Sequence, residues 1–298
     1  RYKRRMAKVY KIMFSVSLIA MAISLVLFLI YGLNFGIDFT GGALLEVRSE
    51  KLEVIEVRET LARLKINNTV VSQTEDGFLI KMPEISEAEH QQILAEFGKI
   101  DEVEEKRFDS IGSVLGSELK RKSVIAIVIA LFFISLYLAI AFYKIGGTIR
   151  PWILALGAII ALIHDLLLPM GLFVWLGQFK DVTIDASIIA AALTILGYSV
   201  NDTVVIYDRI RENIVKKASR DFNTIVHESI KQTLSRSINT GLAAILMMIA
   251  IYFFGGETLK NFSLALIIGI ASGAYSSIFV ASPILMMFYR AKHDNRGA

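Results

Sequence analysis

Residues 123–142 read SVIAIVIALFFISLYLAIAF, from Ser123 to Phe142, without a charged side chain. About 20 residues of α-helix rise roughly 30 Å, the thickness of a bilayer's hydrocarbon core. Runs of the same kind extend over Ile12–Tyr31, Pro151–Leu176, Ile184–Tyr207, Ile238–Phe254 and Phe262–Tyr289, making six in all. The 298-residue chain is 54% hydrophobic, with a positive mean hydropathy. Soluble domains stay near 45–50% and break up their apolar residues with charges. The pattern predicts a polytopic α-helical membrane protein, with the lipid membrane as its surroundings. There is no cysteine, which excludes disulfides and thiolate metal sites. The net charge of +4 does not indicate a nucleic-acid partner, because the basic residues flank the apolar runs.

Arg1, Lys3, Arg4, Arg5 and Lys8 precede the first run. That run exceeds a signal peptide's apolar core and ends at Tyr31-Gly32-Leu33-Asn34, with no small-x-small site, so an uncleaved helix is expected. Short loops rich in Lys and Arg face the cytoplasm. The N-terminus, the turn Lys144–Arg150, the segment Arg209–Arg236 and the tail Arg290–Arg296 are basic. The turns Gln178–Thr183 and Gly255–Asn261 each carry one Lys and one acid. Both termini are therefore expected in the cytoplasm, although Lys120-Arg121-Lys122 then lies on the outer side. The expected division is 1–34 for the N-terminus and first helix and 35–121 for an extracytoplasmic domain. Helices two to six then occupy 122–290, and a cytoplasmic tail occupies 291–298.

The insert alternates in period. Ala43–Arg48 reads as a strand and Lys51–Lys65 as a helix. Val70–Gln73 and Phe78–Met82 read as strands joined by the turn Glu75-Asp76-Gly77. Ser86 and Glu89 make a capping box for a helix ending at Gly98, and Glu102–Phe108 closes the sheet. Two β-α-β halves predict a small ferredoxin-like α+β sandwich. It contains one histidine, His90, and no nucleophile-base arrangement, so its expected work is contact rather than catalysis.

Four stretches carry a family resemblance. Phe35-Gly36-Ile37-Asp38-Phe39-Thr40-Gly41-Gly42 follows the first helix, and Ile111-Gly112-Ser113-Val114-Leu115-Gly116-Ser117-Glu118-Leu119 precedes the second. Gly197-Tyr198-Ser199-Val200-Asn201-Asp202-Thr203-Val204-Val205 runs on through Asp208-Arg209-Ile210-Arg211-Glu212-Asn213. The last begins at Leu234-Ser235-Arg236-Ser237 and includes Phe254-Gly255-Gly256. Together they resemble the SecD/SecF family of the resistance-nodulation-division superfamily. Asn201-Asp202 and the small insert are similar to its SecF branch. The second stretch departs in lacking a proline near Ser113, a position that looks like a turn.

Asp202 stands within an otherwise apolar run. A carboxylate at that depth is unfavourable by about 2.5–3.5 kcal/mol, so it is rarely incidental, and it suits a group that takes and releases a proton. The alternative is a structural hydrogen bond through Tyr198 or Ser199. Arg236 is expected to open the fifth helix near the cytoplasmic interface, where an arginine can snorkel and anchor. The resemblance implies instead that it works with the acid in proton coupling. His164 and Asp165, midway along the third run, suit either a proton relay or a packing hydrogen bond. Ala265, Gly269, Gly273, Ser277 and Ala281 form a small-xxx-small stripe, for tight packing or for sliding. Asp38, Gly41 and Gly42 fit a turn from helix to sheet, with glycine supplying positive φ.

The resemblance implies an accessory of protein export, without enzymatic activity, cofactor or metal. Superfamily transporters pair two six-helix halves, and this chain supplies one. The implied partners are SecD, the SecYEG channel and the translocating preprotein, in a bacterial or archaeal inner membrane and driven by the proton gradient. A non-conducting scaffold and half of a small-molecule exporter are the competing readings.

Overall fold

The computed structural model describes residues 2–74, 76–143, 151–219 and 221–294. Glu75 of the expected hairpin turn, the basic turn Lys144–Arg150, Arg220 and the tail from residue 295 lie outside the described residues. The chain forms two compact units, one of Phe35–Ile125 with Thr183–Ala186, the other of the remaining helices.

Helix α1 spans Tyr2–Tyr31. The motif then folds a single turn, α2 (Ile37–Thr40), before strand β1 (Gly42–Arg48). Gly41 and Gly42 hold φ of 77° and 128°, as the turn reading requires, and a Cβ on Gly41 would lie 2.6 Å from the Ser113 Cα. Helix α3 (Val54–Arg63), strands β2 (Val70–Gln73) and β3 (Gly77–Met82), helix α4 (Glu87–Phe97) and strand β4 (Glu104–Ile111) follow. The Ser86–Glu89 capping box forms as read.

The sheet order is β2-β3-β1-β4, antiparallel throughout, as a ferredoxin-like sandwich demands. Leu45 sits between Ile80 and Phe108 in register, and alternate residues point to one face. Leu45, Val47, Phe78 and Ile80 bury that face against Val57, Leu61, Ile93 and Phe97. Each such side chain contributes about 1.5–3 kcal/mol. Asp101 accepts from the Ser49 hydroxyl at 2.6 Å and the Lys51 and Glu50 amides at 2.9 and 3.1 Å. These donors, the serine first, hold its carboxyl down to about 2.

The helical unit contains α5 (Ser113–Ala141), which starts in the sheet unit, α6 (Pro151–Lys180), α7 (Ala186–Val215) and α8 (Phe222–Phe254). Helix α9 (Glu257–Ser276) runs through a π segment, Ser277–Ala281, into α10 (Ser282–Asp294). Among the described residues, six spans are long and apolar enough to cross a membrane, α9 to α10 counting as one. Ile206, Tyr207, Ile210, Val226, Ala281 and Leu285 belong to its core.

Several helices outrun their apolar runs. Ser113 is the first residue of α5 rather than a turn, and Lys120-Arg121-Lys122 lies inside that helix. Helix α7 continues past Asp208 because charged neighbours pair along it, Arg209 with Glu212 at 2.6 Å and Lys216 with Glu212 at 2.6 Å. The largest correction concerns Arg236, which does not open a helix. Helix α8 begins at Phe222, where the Asp221 side chain accepts from the Asn223 amide, so Arg236 lies in its interior. Phe222, Ile225, Val226 and Ile230 bury one face of those early turns, and this burial keeps a polar segment helical.

Candidate functional site

Two acids lie inside the helical unit, in different settings. Asp165 on α6 is fully buried. Its Oδ1 accepts from the Ser272 hydroxyl at 2.7 Å and faces the His164 Nδ1 at 2.8 Å. Its Oδ2 accepts from Ser276 at 2.7 Å and from Ser199. A carboxylate offers about four acceptor positions, and here serine donors from α7 and α9 and the His164 ring nitrogen of α6 occupy them. The His164 ring lies near-parallel to that of Tyr275, with centroids 6.1 Å apart. Its Nε2 has no partner among the described residues.

Asp202 on α7 is 8% exposed. Its Oδ1 accepts from the Ser237 hydroxyl of α8, while its Oδ2 is buried with no partner among the described residues. The sequence offered Tyr198 or Ser199 as hydrogen-bond partners. Ser199 instead serves Asp165, and Ser237 serves Asp202. Arg236 precedes Ser237 and acts on Asp202 through its charge, with no ion pair between them among the described residues. Asn201, the next residue back on α7, is exposed and falls outside this cluster. The two acids are linked by α7 itself, because Ser199 and Asp202 are three residues apart and share a face.

Beside them, the Ser277 hydroxyl donates to the Gly273 carbonyl at 2.9 Å, so Thr203 is the donor in its own 2.9 Å contact with Ser277. Ser277 opens the π segment, a departure from α geometry that often accompanies functional sites. Tyr207, fully buried, holds its hydroxyl without a partner among the described residues.

Asp38 belongs to the sheet unit. Its carboxylate accepts from the Ala186 amide at 2.7 Å, at the first residue of α7. Gly36 donates to the Ile184 carbonyl at 2.7 Å, and Lys81 reaches the Thr183 hydroxyl at 3.0 Å. The motif thus grips the segment 183–186 as well as turning the chain. Asp165, Asp202 and Arg236 belong to the helical unit and Asp38, Gly41 and Gly42 to the sheet unit.

The family described as "Protein export membrane protein SecD/SecF, C-terminal" matches residues 90–291, well over half of the chain. The chain belongs to the SecD/SecF family. The family's GG motif matches residues 26–51, spanning Asp38, Gly41 and Gly42. Protein translocase subunit SecF of Thermobaculum terrenum is 41% identical over 276 residues, 87% of this chain and 85% of that protein. The subunit of the same name from Synechocystis is 40% identical over 263 residues, 84% and 81% of the two chains. Among solved structures, SecDF from Thermus thermophilus, described as a translocon-associated membrane protein, superposes with a TM-score of 0.82 at 32% identity. That match covers 94% of this chain and 38% of the other. SecDF in a super-membrane-facing form gives 0.69 at 30% identity, covering 97% and 39%. The chain therefore spans little more than a third of the SecDF chains and most of the SecF subunits.

Sequence reasoning missed Ser237, Ser272, Ser276 and Tyr207. A hydroxyl does not interrupt an apolar run as a charge does. The signal available was spacing, since Ser272 and Ser276 lie four apart on one helix face.

Proposed function

We propose that this chain is the SecF-type half of a protein-export accessory, in which proton movement at Asp202 drives conformational work on the outer side of the membrane. The observation that carries the proposal is Asp202 itself. It is buried in an apolar helix, with one oxygen held by Ser237 and the other free of partners among the described residues. A buried membrane acid with an unengaged oxygen has room to take a proton without displacing a donor.

In this account Arg236 is the cation whose approach or withdrawal tunes the acid. Asp165 and His164 form the fixed polar hub against which α7 and α9 are set. SecD supplies the second six-helix half, and the assembly works beside the SecYEG channel on the emerging preprotein. The basic N-terminus and the charged segment after Tyr207 support a reading with both termini in the cytoplasm and the sheet unit outside. The chain performs no chemistry of its own beyond proton transfer. One proton crossing 100 mV releases about 2.3 kcal/mol, enough for a few protons to bias a conformational switch.

The test is preprotein translocation into vesicles holding an imposed proton gradient. Asp202→Asn keeps shape and hydrogen bonding and cannot ionise, so it is expected to assemble with SecD and lose gradient-dependent translocation. Translocation equal to the parent's supports the scaffold reading instead.

A further inference from the structure

Hydroxyls inside an α-helix usually donate back to a carbonyl one turn earlier. Helix α8 follows that habit. Ser229 donates to the Ile225 carbonyl at 2.7 Å, Thr233 to the Ser229 carbonyl at 3.0 Å and Thr240 to the Arg236 carbonyl at 2.9 Å. Ser237, buried on the same helix, donates across to the Asp202 Oδ1 on α7 instead. From this geometry we infer that Ser237 is the positioning residue of the proton site and that Asp202 Oδ2 is the atom that takes the proton. The inference rests on the proton-carrying reading of Asp202.

A serine hydroxyl has one hydrogen to give. While it is spent on Oδ1, that oxygen is the acceptor in both protonation states. A proton arriving from water forms its O–H bond on Oδ2, whose lone pairs are unengaged, and the carboxylate becomes a neutral acid. On release the same O–H bond breaks and the proton returns to water. Ser237 remains donor to Oδ1 throughout, so the site changes charge without changing its hydrogen-bond partner.

The charged and titratable groups around the acid define what else could set its behaviour. Arg236 acts on it from α8 and Asp165 from α6, while Tyr198, on α7 itself, feels the charge of Asp202. His164 is held to Asp165. From α9 and its π segment the neighbours are the neutral hydroxyls of Ser272, Ser276 and Ser277, engaged with Asp165 or Thr203. Ser237 thus contributes the direct hydrogen bond to Asp202, while Arg236 and Asp165 act through charge.

The experiment uses the full chain reconstituted with SecD in vesicles that enclose a pH-sensitive dye. Proton flux is followed against external pH. In Ser237→Ala the ionised acid loses its donor, and the midpoint of the flux profile is expected to move by about one unit towards higher pH. Ser237→Thr keeps the hydroxyl and is expected to keep the parent midpoint. A Ser237→Ala profile that overlays the parent's overturns the inference, as does a Ser237→Thr profile displaced as far as the alanine variant's. Should the alanine variant reconstitute poorly, the infrared carboxyl stretch of Asp202 reads the same bond in detergent. Loss of the donor shifts that band to higher frequency, and an unmoved band overturns the inference. Asp202→Asn in the same assay keeps the two ideas separable. Parent-like flux there rejects proton carriage itself, whereas lost flux with an unmoved Ser237→Ala midpoint rejects only the role of Ser237.

Discussion

Asp165 and Asp202 are both buried carboxylates on neighbouring membrane helices, yet their surroundings are opposite in kind. Asp165 accepts from three serines and faces His164, so each oxygen has two partners. Asp202 accepts from one serine, and its Oδ2 has no partner among the described residues. A proton arriving at Asp165 must displace a serine donor or change the role of His164 Nδ1 from donor to acceptor. A proton arriving at Asp202 Oδ2 displaces no donor among the described residues. Depth in the membrane alone therefore does not make an acid a carrier, because the filling of its lone pairs decides what it can do.

The comparison breaks most visibly if Asp165 is removed. Asp165→Ala strands Ser199, Ser272 and His164 together, at the junction of α6, α7 and α9, and leaves Ser276 only its Gly273 carbonyl at 3.2 Å. Interhelical hydrogen bonds in membranes average about 0.6 kcal/mol and stranded buried groups add to that, so a loss of about 3 kcal/mol is expected. Thermal unfolding in nanodiscs measures it. A parent-like melting temperature means the hub does not hold the helices.

Gly273→Ala is a gentler probe of the same hub. An added Cβ would lie 3.0 Å from the Ser199 Cβ, and 3.3 Å from its Cα, so α9 and α7 must part slightly. Overpacking of this kind costs about 1–3 kcal/mol. It is expected to destabilise the protein while leaving the pH midpoint of proton flux in place, since Asp202 and Ser237 lie on the α7–α8 side. A shifted midpoint with unchanged stability would invert the assignment of the two acids.

The smallest effect calibrates the donor argument in water. Asp101, in the sheet unit, is held down to about 2 by Ser49 and the backbone amides of Lys51 and Glu50. A carboxyl lowered in the folded state stabilises above its unfolded value near 3.9, and that stability is lost as pH falls from about 4 to about 2. The melting temperature of the parent should therefore fall more steeply across that window than that of Asp101→Asn. Equal slopes would mean that hydrogen-bond donors are not what sets this acid.

Much of this architecture was legible because charges interrupt apolar runs and because periodicity changes between membrane and insert. Asp165 and Asp202 stood out as acids at depth, and the Ser86–Glu89 box marked the start of α4 to the residue. What stayed hidden was of two kinds. The Asp38 partner, Ala186, lies 148 residues away, and no local pattern announces a cap delivered from that distance. The early turns of α8 are polar enough to pass for a loop, which misplaced Arg236, although Phe222, Ile225, Val226 and Ile230 already recur at helical spacing. Serines are silent in hydropathy, and so the donors that distinguish the two acids emerged only in three dimensions.

The most direct test compares the two acids in one spectroscopic experiment. Infrared difference spectra of the reconstituted protein, recorded as pH is stepped across the flux midpoint, report the appearance of a protonated carboxyl. The account predicts that this band is present in the parent, absent in Asp202→Asn and retained in Asp165→Asn. A band that survives in Asp202→Asn and disappears in Asp165→Asn would contradict it and make Asp165 the carrier.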